Sequence, residues 1–549
     1  MKEDAISFSK LVSLLKLERS EITAIYFYAI LGGLIQLSLP LGIQAILGFV
    51  LGATMVTSVY LLILIIIIAV LIVGHMQIQQ MRIIEKIQQK IYVRFAFEFA
   101  EKIPRMDIKG TDQYYLPEKI NRFFDTLNVQ KGISKLLLDI PGATIQVIFG
   151  LILLSLYHPL FIAFSFLLVG VLWVIYAVTG KRGLKTSITE SNYKYEVVGW
   201  LEELGRVIKS FKYSQGSHLN LKKTDEKLLQ YVQARTSHFK VLLFQFRTLV
   251  VFKVGITAFM LILGTSLLFD QKINIGQFVA AEIVILTIIA AIEKLITSLE
   301  NVYDVVTGLY KVDSVLELPE EKDGAFQFQS EDLNIVMKNL NFSYKDNREI
   351  LSDISIQIPA NTITCISGEE NSGKSTLLKL LTGSYMDFEG LIYFNNIPLQ
   401  NYSLESLRSQ MGILLYEQDL FEGTLYENIS LGRKNVFVEN IMEVARALGI
   451  ENFISFFPDS FETQLDPAGR KLPSSLIRKI LLLRALVNDP VLLILEEPWF
   501  GFNEETKLHI QQYLVKLSKT RTIVISTNDS MFIETCPVKY HIVDGTIHA

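Results

Sequence analysis

Residues 364–380 read TCISGEENSGKSTLLKL, and this stretch decides the fold of the second half of the chain. It satisfies the pattern GxxxxGK[ST] directly after an apolar run typical of a strand and directly before a run typical of a helix. Backbone N–H groups of such a loop close around phosphate at the helix N-terminus. The sequence therefore predicts a phosphate-binding loop formed by Gly368, Glu369, Glu370, Asn371, Ser372, Gly373, Lys374, Ser375 and Thr376.

Two side chains of this loop carry the expected chemistry. Lys374 supplies a cation for the β- and γ-phosphate oxygens of a nucleotide, and Ser375 offers a hydroxyl to Mg²⁺. The alternative interpretation is a glycine-rich turn with no ligand.

The residues around the loop alternate between strand-type and helix-type patterns, which favours an α/β domain with a largely parallel sheet. The charged, glycine-containing segment PEEKDGAFQFQSED, at 319–332, indicates a domain boundary before it. The predicted organisation is a lead-in at 1–20, a transmembrane domain at 21–310, a linker at 311–332 and a nucleotide-binding domain at 333–549.

The first half of the chain is predicted to lie in a membrane. Half of the 549 residues are hydrophobic and the mean hydropathy is +0.35, which is too apolar for an ordinary soluble protein. A spanning helix needs about 20 mostly apolar residues. Six stretches qualify, at 21–50, 55–78, 135–157, 160–180, 243–269 and 276–299.

The loops differ in charge, and this difference predicts the orientation. Segments 80–134 and 181–241 are crowded with Lys and Arg, whereas the three opposite turns hold a single lysine. Because short basic loops stay cytoplasmic, both termini and the nucleotide-binding domain are expected in the cytosol. The two basic segments keep helical periodicity and should project from the membrane, turning back near 107–113 and 214–218, where a partner could be contacted.

Composition excludes other classes. With a net charge of −4, the chain lacks the overall excess of basic residues that is typical of nucleic-acid-binding proteins. The two cysteines, Cys365 and Cys536, lie in the half predicted to be cytosolic, so they are expected to stay reduced, with no disulfide framework or metal site.

Three ionisable residues fall at predicted bilayer depth, where charge is costly and normally faces protein or water. Lys253 and Glu293 lie at similar depth, roughly 22 to 24 Å below the outer ends of their spans at about 1.5 Å per residue, so an ion pair is possible. The alternative is that Lys253 snorkels to the membrane surface. Glu282 has no obvious partner and is expected to line an outward-opening pathway.

The order of six spans with cytosolic extensions followed by one phosphate-loop domain resembles an exporter-type ABC half-transporter. The resemblance implies a membrane all-α six-helix transmembrane domain followed by an α/β P-loop NTPase domain of ABC type. It also implies ATP and Mg²⁺ as ligands, and a second half-transporter, identical or related, as partner.

Some family positions are retained in this chain. Tyr344 corresponds to the aromatic that stacks on adenine. Glu496 stands where the family has the aspartate that holds Mg²⁺, and the extra methylene predicts weakened metal binding. Glu497 keeps the position of the glutamate that polarises the attacking water.

Other family positions are replaced. Tyr416 stands where a glutamine senses the γ-phosphate, and Gln418 is two residues away. Asn528 replaces the histidine that contacts the γ-phosphate. The aromatic WFGFN, at 499–503, replaces a short loop ending in aspartate. For Tyr416 and the two phenylalanines of this loop, an ordinary loop or core role is the competing interpretation.

The family signature LSGGQ, which faces the nucleotide held by the other subunit, is also altered. Serines replace two glycines that would permit close backbone approach, and proline removes one N–H donor. The matching residues are Leu472, Pro473, Ser474, Ser475 and Leu476.

The sequence therefore predicts a dimeric exporter subunit of a bacterial inner membrane that binds ATP and hydrolyses it slowly, moving peptide, protein or amphiphile cargo. The rival hypothesis is a nucleotide-gated regulatory or scaffold subunit of an export complex with accessory proteins. A soluble enzyme fused to an anchor is disfavoured, because one span would suffice for anchoring.

Overall fold

The computed structural model describes residues 2–52, 57–111, 115–214, 216–344 and 349–548; the side chains of 2–9, 162–167 and 169 lie outside this description. The chain forms two compact units. The first comprises Met1–Pro104 and Tyr114–Leu318, and the second comprises Arg105–Gln113 and Pro319–Ala549.

The described part of the first unit is helical. Its long helices follow from apolar runs that continue into charged segments with unbroken helical periodicity. In chain order, and including the short α5 that belongs to the second unit, the helices are α1 (Lys2–Leu17), α2 (Arg19–Gln36), α3 (Ser38–Leu51), α4 (Thr57–Lys102), α5 (Ile108–Thr111), α6 (Leu116–Ile120), α7 (Asp125–Tyr157), α8 (Leu160–Arg206), α9 (Ile208–Tyr213), α10 (Leu219–Phe269) and α11 (Ile275–Leu316).

Five helical stretches among the described residues are long and apolar enough to cross a membrane by length and composition. The predicted fourth span, 160–180, lies on α8, part of whose side chains are outside the description. The five stretches are Arg19–Leu51, Thr57–Arg105, Leu116–Tyr157, Leu219–Phe269 and Ile275–Leu316.

The predicted first span is interrupted. Leu37 separates α2 from α3, and its N–H bonds to the carbonyl oxygen of Leu34. Pro40, which has no N–H, follows three residues later, so no helical bond to residue 36 can form there. Helices α7, α8, α10 and α11 share a buried core, in which Leu154 and Leu249 are almost wholly buried.

The second unit is the predicted α/β domain. Its strands are β1 (Ile335–Ser343), β2 (Glu349–Ile358), β3 (Ile363–Gly368), β4 (Glu389–Phe394), β5 (Ile397–Pro398), β6 (Met411–Leu414), β7 (Gly423–Thr424), β8 (Gln464–Leu465), β9 (Leu492–Glu496), β10 (Thr522–Ser526), β11 (Val538–Val543) and β12 (Thr546–His548). Its remaining α-helices are α12 (Lys374–Leu381), α13 (Leu404–Ser409), α14 (Leu425–Ser430), α15 (Val438–Ala447), α16 (Ser474–Leu486), α17 (Glu504–Leu517) and α18 (Ser530–Thr535).

Sheet order brings the site together. The main sheet has the order β12-β11-β3-β10-β9-β6, with parallel pairing from β11 through β6. Strands β1 and β2 instead join β4 and β5 in a separate antiparallel sheet. Because the carboxyl ends of parallel strands share one edge, the residues that follow β3, β9 and β10 become neighbours.

The cysteine prediction is wrong. Cys365 on β3 and Cys536, which follows α18, form a disulfide, and their Cα atoms lie 6.2 Å apart. The two residues are 171 positions apart in sequence, so only the packing of α18 against the sheet core brings them together.

Candidate functional site: a phosphate loop and its surroundings

The phosphate loop connects β3 to α12 and depends on two glycines with positive φ. Gly368 has φ +154° and Gly373 has φ +104°. A Cβ on Gly368 would lie 2.3 Å from the carbonyl oxygen of Ile542, and one on Gly373 would lie 2.7 Å from Leu351. Both positions therefore exclude side chains, and the backbone stays open at the start of α12.

The ammonium group of Lys374 lies over the loop. It donates to the carbonyl oxygens of Gly368 at 2.8 Å and Glu369 at 2.6 Å. Burial lowers the pKa of Lys374, and the nearby carboxylates of Glu497 and Glu496 oppose that shift. The lysine is thus held at the helix start, where a phosphate would replace the carbonyl contacts.

The other residues predicted for the loop differ in exposure. Ser372 is buried, and its hydroxyl has no hydrogen-bond partner among the described residues. An unsatisfied buried hydroxyl is costly, and a phosphate oxygen would satisfy it. Thr376 is buried and pairs with the Tyr344 hydroxyl at 3.2 Å. The exposed members are Glu369, Glu370, Asn371 and Ser375.

The two predicted Mg²⁺ ligands are in contact. The Ser375 hydroxyl donates to one oxygen of Glu496, at the end of β9. The other Glu496 oxygen accepts the backbone N–H of Tyr416 at 2.8 Å. A hydroxyl beside a carboxylate is a suitable donor set for Mg²⁺, which takes oxygen ligands and keeps several waters.

Glu497 follows with φ +43°. Its carboxylate accepts from the Thr527 hydroxyl at 3.0 Å and from the Asn528 N–H at 3.2 Å. Burial raises the pKa of Glu497, against these two hydrogen bonds. The Asn528 side-chain oxygen in turn accepts the N–H of Gly368 at 3.1 Å. At the histidine position, this chain therefore uses an amide to hold the phosphate-loop backbone.

Arg478, on α16, is a site residue that sequence reasoning missed. Its guanidinium donates to the carbonyl oxygen of Glu496 and, at 3.0 Å, to that of Glu497. The side chain is buried, which lowers the pKa of Arg478. The available signal was an arginine within the mostly apolar helix α16.

The signature position has become part of a packed helix start. Pro473 is the N-cap of α16 and makes no side-chain cap. Leu476 is 3% exposed and packs in the same core as Ile480. Ser474 is exposed and Leu472 is partly buried. The polar amide of the family position is thus replaced by a core side chain.

Tyr344 and Tyr416 behave differently. The Tyr344 ring packs edge-on against Phe342 and Tyr385, with centroids 5.1 and 5.6 Å away. Tyr416 is 72% exposed. Gln418 turns back on its own loop, where its side-chain oxygen accepts the N–H of Leu415 at 3.3 Å.

The aromatic loop at 499–503 supports the core interpretation for most of its members. Trp499 is buried against Phe532, with ring centroids 4.7 Å apart. Phe502 packs on the same core, and Asn503 caps α17 by accepting the N–H of Thr506 at 2.9 Å. Phe500 alone among the loop aromatics is 62% exposed.

In the first unit, the predicted pairing of Lys253 with Glu293 is confirmed as an ion pair between α10 and α11. Glu282 is half-buried and forms no hydrogen bond or ion pair with the residues that the structure describes.

Each unit contains a segment that matches a known protein family. Residues 22–292 match the ABC transporter transmembrane region, and residues 351–499 match the ABC transporter domain. The chain is 16% identical to a bacterial Atm1-family ABC exporter whose structure was solved with ATP bound. That similarity has a TM-score of 0.85 and covers 97% of this chain and 94% of the other, and it shows the fold.

Curated relatives match about half of this chain. An uncharacterized ABC transporter ATP-binding protein, YknV, of Bacillus subtilis is 32% identical over 276 residues, which are 49% of this chain and 45% of that protein. An ATP-dependent lipid A-core flippase of Legionella pneumophila is 30% identical over 254 residues, covering 46% of this chain and 43% of the flippase. The matches thus span less than half the length of these relatives.

Proposed function

The chain belongs to the ABC transporter family as an exporter-type half-transporter, and from this premise we propose that it dimerises and uses ATP binding, with slow hydrolysis, to drive alternating access. The proposed location is a bacterial inner membrane, with both termini and the ATP-binding domain in the cytosol. The Lys/Arg-rich segments at 80–134 and 181–241 support this orientation.

One observation carries the binding half of the proposal: the phosphate loop is open at its backbone and holds Lys374 at the start of α12. The loop and Lys374 would hold the phosphates, and Tyr344 would contact adenine. Ser375 and Glu496 would hold Mg²⁺. Bound ATP with Mg²⁺ supplies the phosphoanhydride bond and the free energy of domain closure.

The surroundings support slow turnover. Glu497 would orient the attacking water, yet Asn528 cannot take up positive charge as the transition state develops. Tyr416 is exposed where a glutamine is expected, and Leu476 is buried where an amide is expected. Because binding and chemistry use different interactions, the second can be lost while the first remains.

In a dimer, each nucleotide would lie between the phosphate loop of one subunit and the signature position of the other, so the alterations of both subunits would affect each site. In a homodimer both sites would lack the signature glycines and the histidine. In a heterodimer with an intact relative, each mixed site would retain one altered side. Slow hydrolysis is expected in both assemblies.

For the transported cargo we propose only a chemical class, either an amphiphile or a peptide or protein. The name of the lipid A-core flippase favours an amphiphile, and the phrase INIGQFVAA at the start of α11 favours a peptide or protein. Glu282 is proposed to line the outward-opening pathway, because it lies half-buried on α11 with no partner among the described residues.

The second candidate is a nucleotide-gated regulatory or scaffold subunit that binds accessory export proteins and does not turn over ATP. One observation favours this candidate. The side-chain oxygen of Gln418, the glutamine nearest to the γ-phosphate-sensing position, accepts the backbone N–H of Leu415 and is thus engaged by its own loop.

The deciding experiment purifies the full chain in detergent with ATP and Mg²⁺ and measures subunit composition and phosphate release together, beside Lys374→Ala. Cargo flux above that of Lys374→Ala in reconstituted vesicles supports the exporter. ATP-dependent shape change without flux, with stoichiometric co-purification of other chains, supports the regulatory subunit. Failure to retain ATP, or phosphate release at the rate of an intact ABC exporter, contradicts both.

A further inference from the structure

A groove runs between α8 and α10 in the first unit. The two helices are held side by side by the Thr186 hydroxyl with His238 at 2.9 Å and by Gln245 with Thr179 at 2.8 Å. Two adjoining cavities of about 440 and 240 Å³ lie along this seam and share Arg182. We name them together the basic groove, after Arg182, Lys185 and Lys240.

The basic groove has no internal counterion. None of its lining residues is acidic. Among the described residues, Arg182, Lys185 and Lys240 form no ion pair and no side-chain hydrogen bond. The nearby carboxylate of Glu190 is paired with Arg235 at 3.0 Å. The three positive charges that line the two cavities therefore have no counterion among the described residues of this chain, so an anion bound in the groove would be attracted to them.

The chemistry changes along the groove. The larger cavity adds hydroxyl and amide groups from Thr189, Tyr193, Gln233 and Ser237, which suit a hydrogen-bonded headgroup. The smaller cavity adds Val178, Val241 and Phe244, the last of which is 49% exposed. A polar, basic cavity thus continues into one where Arg182 and Lys240 stand beside apolar side chains, which suits an anionic amphiphile.

The groove also lies at the predicted membrane border. Arg182 follows the fourth predicted span by two residues, and Lys240 precedes the fifth by three. At about 1.5 Å per residue, both lie within roughly 5 Å of the border. Basic residues at this level meet the phosphates of the cytosolic leaflet.

We propose that the basic groove binds the phosphate headgroup of an anionic phospholipid from the cytosolic leaflet, with the acyl chains beside Phe244. The inference rests on the membrane orientation given under the proposed function. The same phosphate chemistry occurs in free organic phosphates, so the test separates the two sources.

The test offers delipidated full-length protein either phosphatidylglycerol or phosphatidylcholine and counts retained lipid by native mass spectrometry. The unaltered chain is expected to retain phosphatidylglycerol preferentially. Arg182→Gln/Lys240→Gln is expected to retain it roughly tenfold less well. Arg182→Lys/Lys240→Arg, which keeps both charges, should retain it nearly as well as the unaltered chain.

The matched control is Lys181→Gln/Lys222→Gln, which removes one positive charge from each of the same helices outside the groove. It should retain phosphatidylglycerol as the unaltered chain does. Equal retention of both lipids, an equal loss in the control, or displacement of the lipid by millimolar glycerol phosphate would overturn the inference.

ATP retention, measured in the same samples, separates this inference from the proposed function. Protein that retains ATP but shows no lipid preference contradicts the groove alone. Protein that selects phosphatidylglycerol but does not retain ATP contradicts the proposed function alone.

Discussion

The starts of α12 and α16 are both helix N-termini at family nucleotide positions, and they differ in the residue before the helix. Gly373 precedes α12 with φ +104° and has no room for a Cβ, whereas Pro473 precedes α16 with an ordinary φ of −58°. At α12 the backbone stays open to an anion. At α16 Leu476 is buried, so that helix start serves packing. Binding and turnover can therefore diverge within one domain.

The largest effect that would test this difference is at α12. Lys374→Ala is expected to weaken ATP retention about 10- to 100-fold, because it removes a charged hydrogen-bond donor worth about 1.5 to 3 kcal/mol. Filter retention of radiolabelled ATP measures it. Lys379→Ala, on the same helix and paired with Glu417, is the control and should bind normally. Equal retention by both variants would contradict the assignment.

The next effect concerns packing at α16. Leu476→Gln should destabilise the second unit by about 1 to 3 kcal/mol, because a buried amide loses its water. At about 2 to 4 °C per kcal/mol, the Tm by intrinsic fluorescence should fall by several degrees. Ser474→Gly, at an exposed position, should cost less than about 1 kcal/mol. An unchanged Tm for Leu476→Gln would show that this helix start is free for nucleotide contact.

A smaller effect is expected at the water-orienting position. On the proposal that Asn528, Tyr416 and Leu476 interrupt the group of residues that hydrolyses ATP, Glu497→Gln should change phosphate release by less than about threefold, since groups that act as a unit are not additive. Phosphate release is compared with the Lys374→Ala background. A hundredfold loss of phosphate release would instead show that the catalytic residues still act as an intact unit. The proposed difference between the binding role of the α12 start and the packing role of the α16 start would then be contradicted.

The smallest effect is a pH dependence. Burial raises the pKa of Glu497 above its ordinary 4.5, so the folded state binds this proton more readily than the unfolded state. Its contribution to stability is present at low pH and is lost as pH rises from about 4.5 through the folded pKa. Glu497→Gln should flatten the decline of Tm with rising pH, whereas the exposed Glu422→Gln should not. Parallel curves for both variants would contradict the burial effect.

Several features followed from local sequence patterns. The phosphate loop was predicted because its glycines, lysine and serine lie within eight consecutive residues. The pairing of Lys253 with Glu293 followed from counting helical rise along two neighbouring spans, and the ion pair is present. The break at Leu37 was missed, because the apolar run continues through it without a change of composition.

The contacts that complete the site could not be predicted from the sequence, because they depend on how distant elements pack together. The hydrogen bonds from Arg478 to the backbone of Glu496 and Glu497 depend on where α16 packs against β9. The disulfide between Cys365 and Cys536 depends on α18 returning to the sheet. No periodicity or spacing encodes these distances.

By itself the sequence determined that this protein is half membrane helix and half phosphate-loop domain, because apolar run length and a short loop motif act locally. Only the tertiary structure decided that Glu496 contacts Ser375, that Asn528 holds Gly368, and that Arg182, Lys185 and Lys240 line adjoining cavities between α8 and α10. Strand order and helix packing set those contacts, since they join residues far apart in the chain.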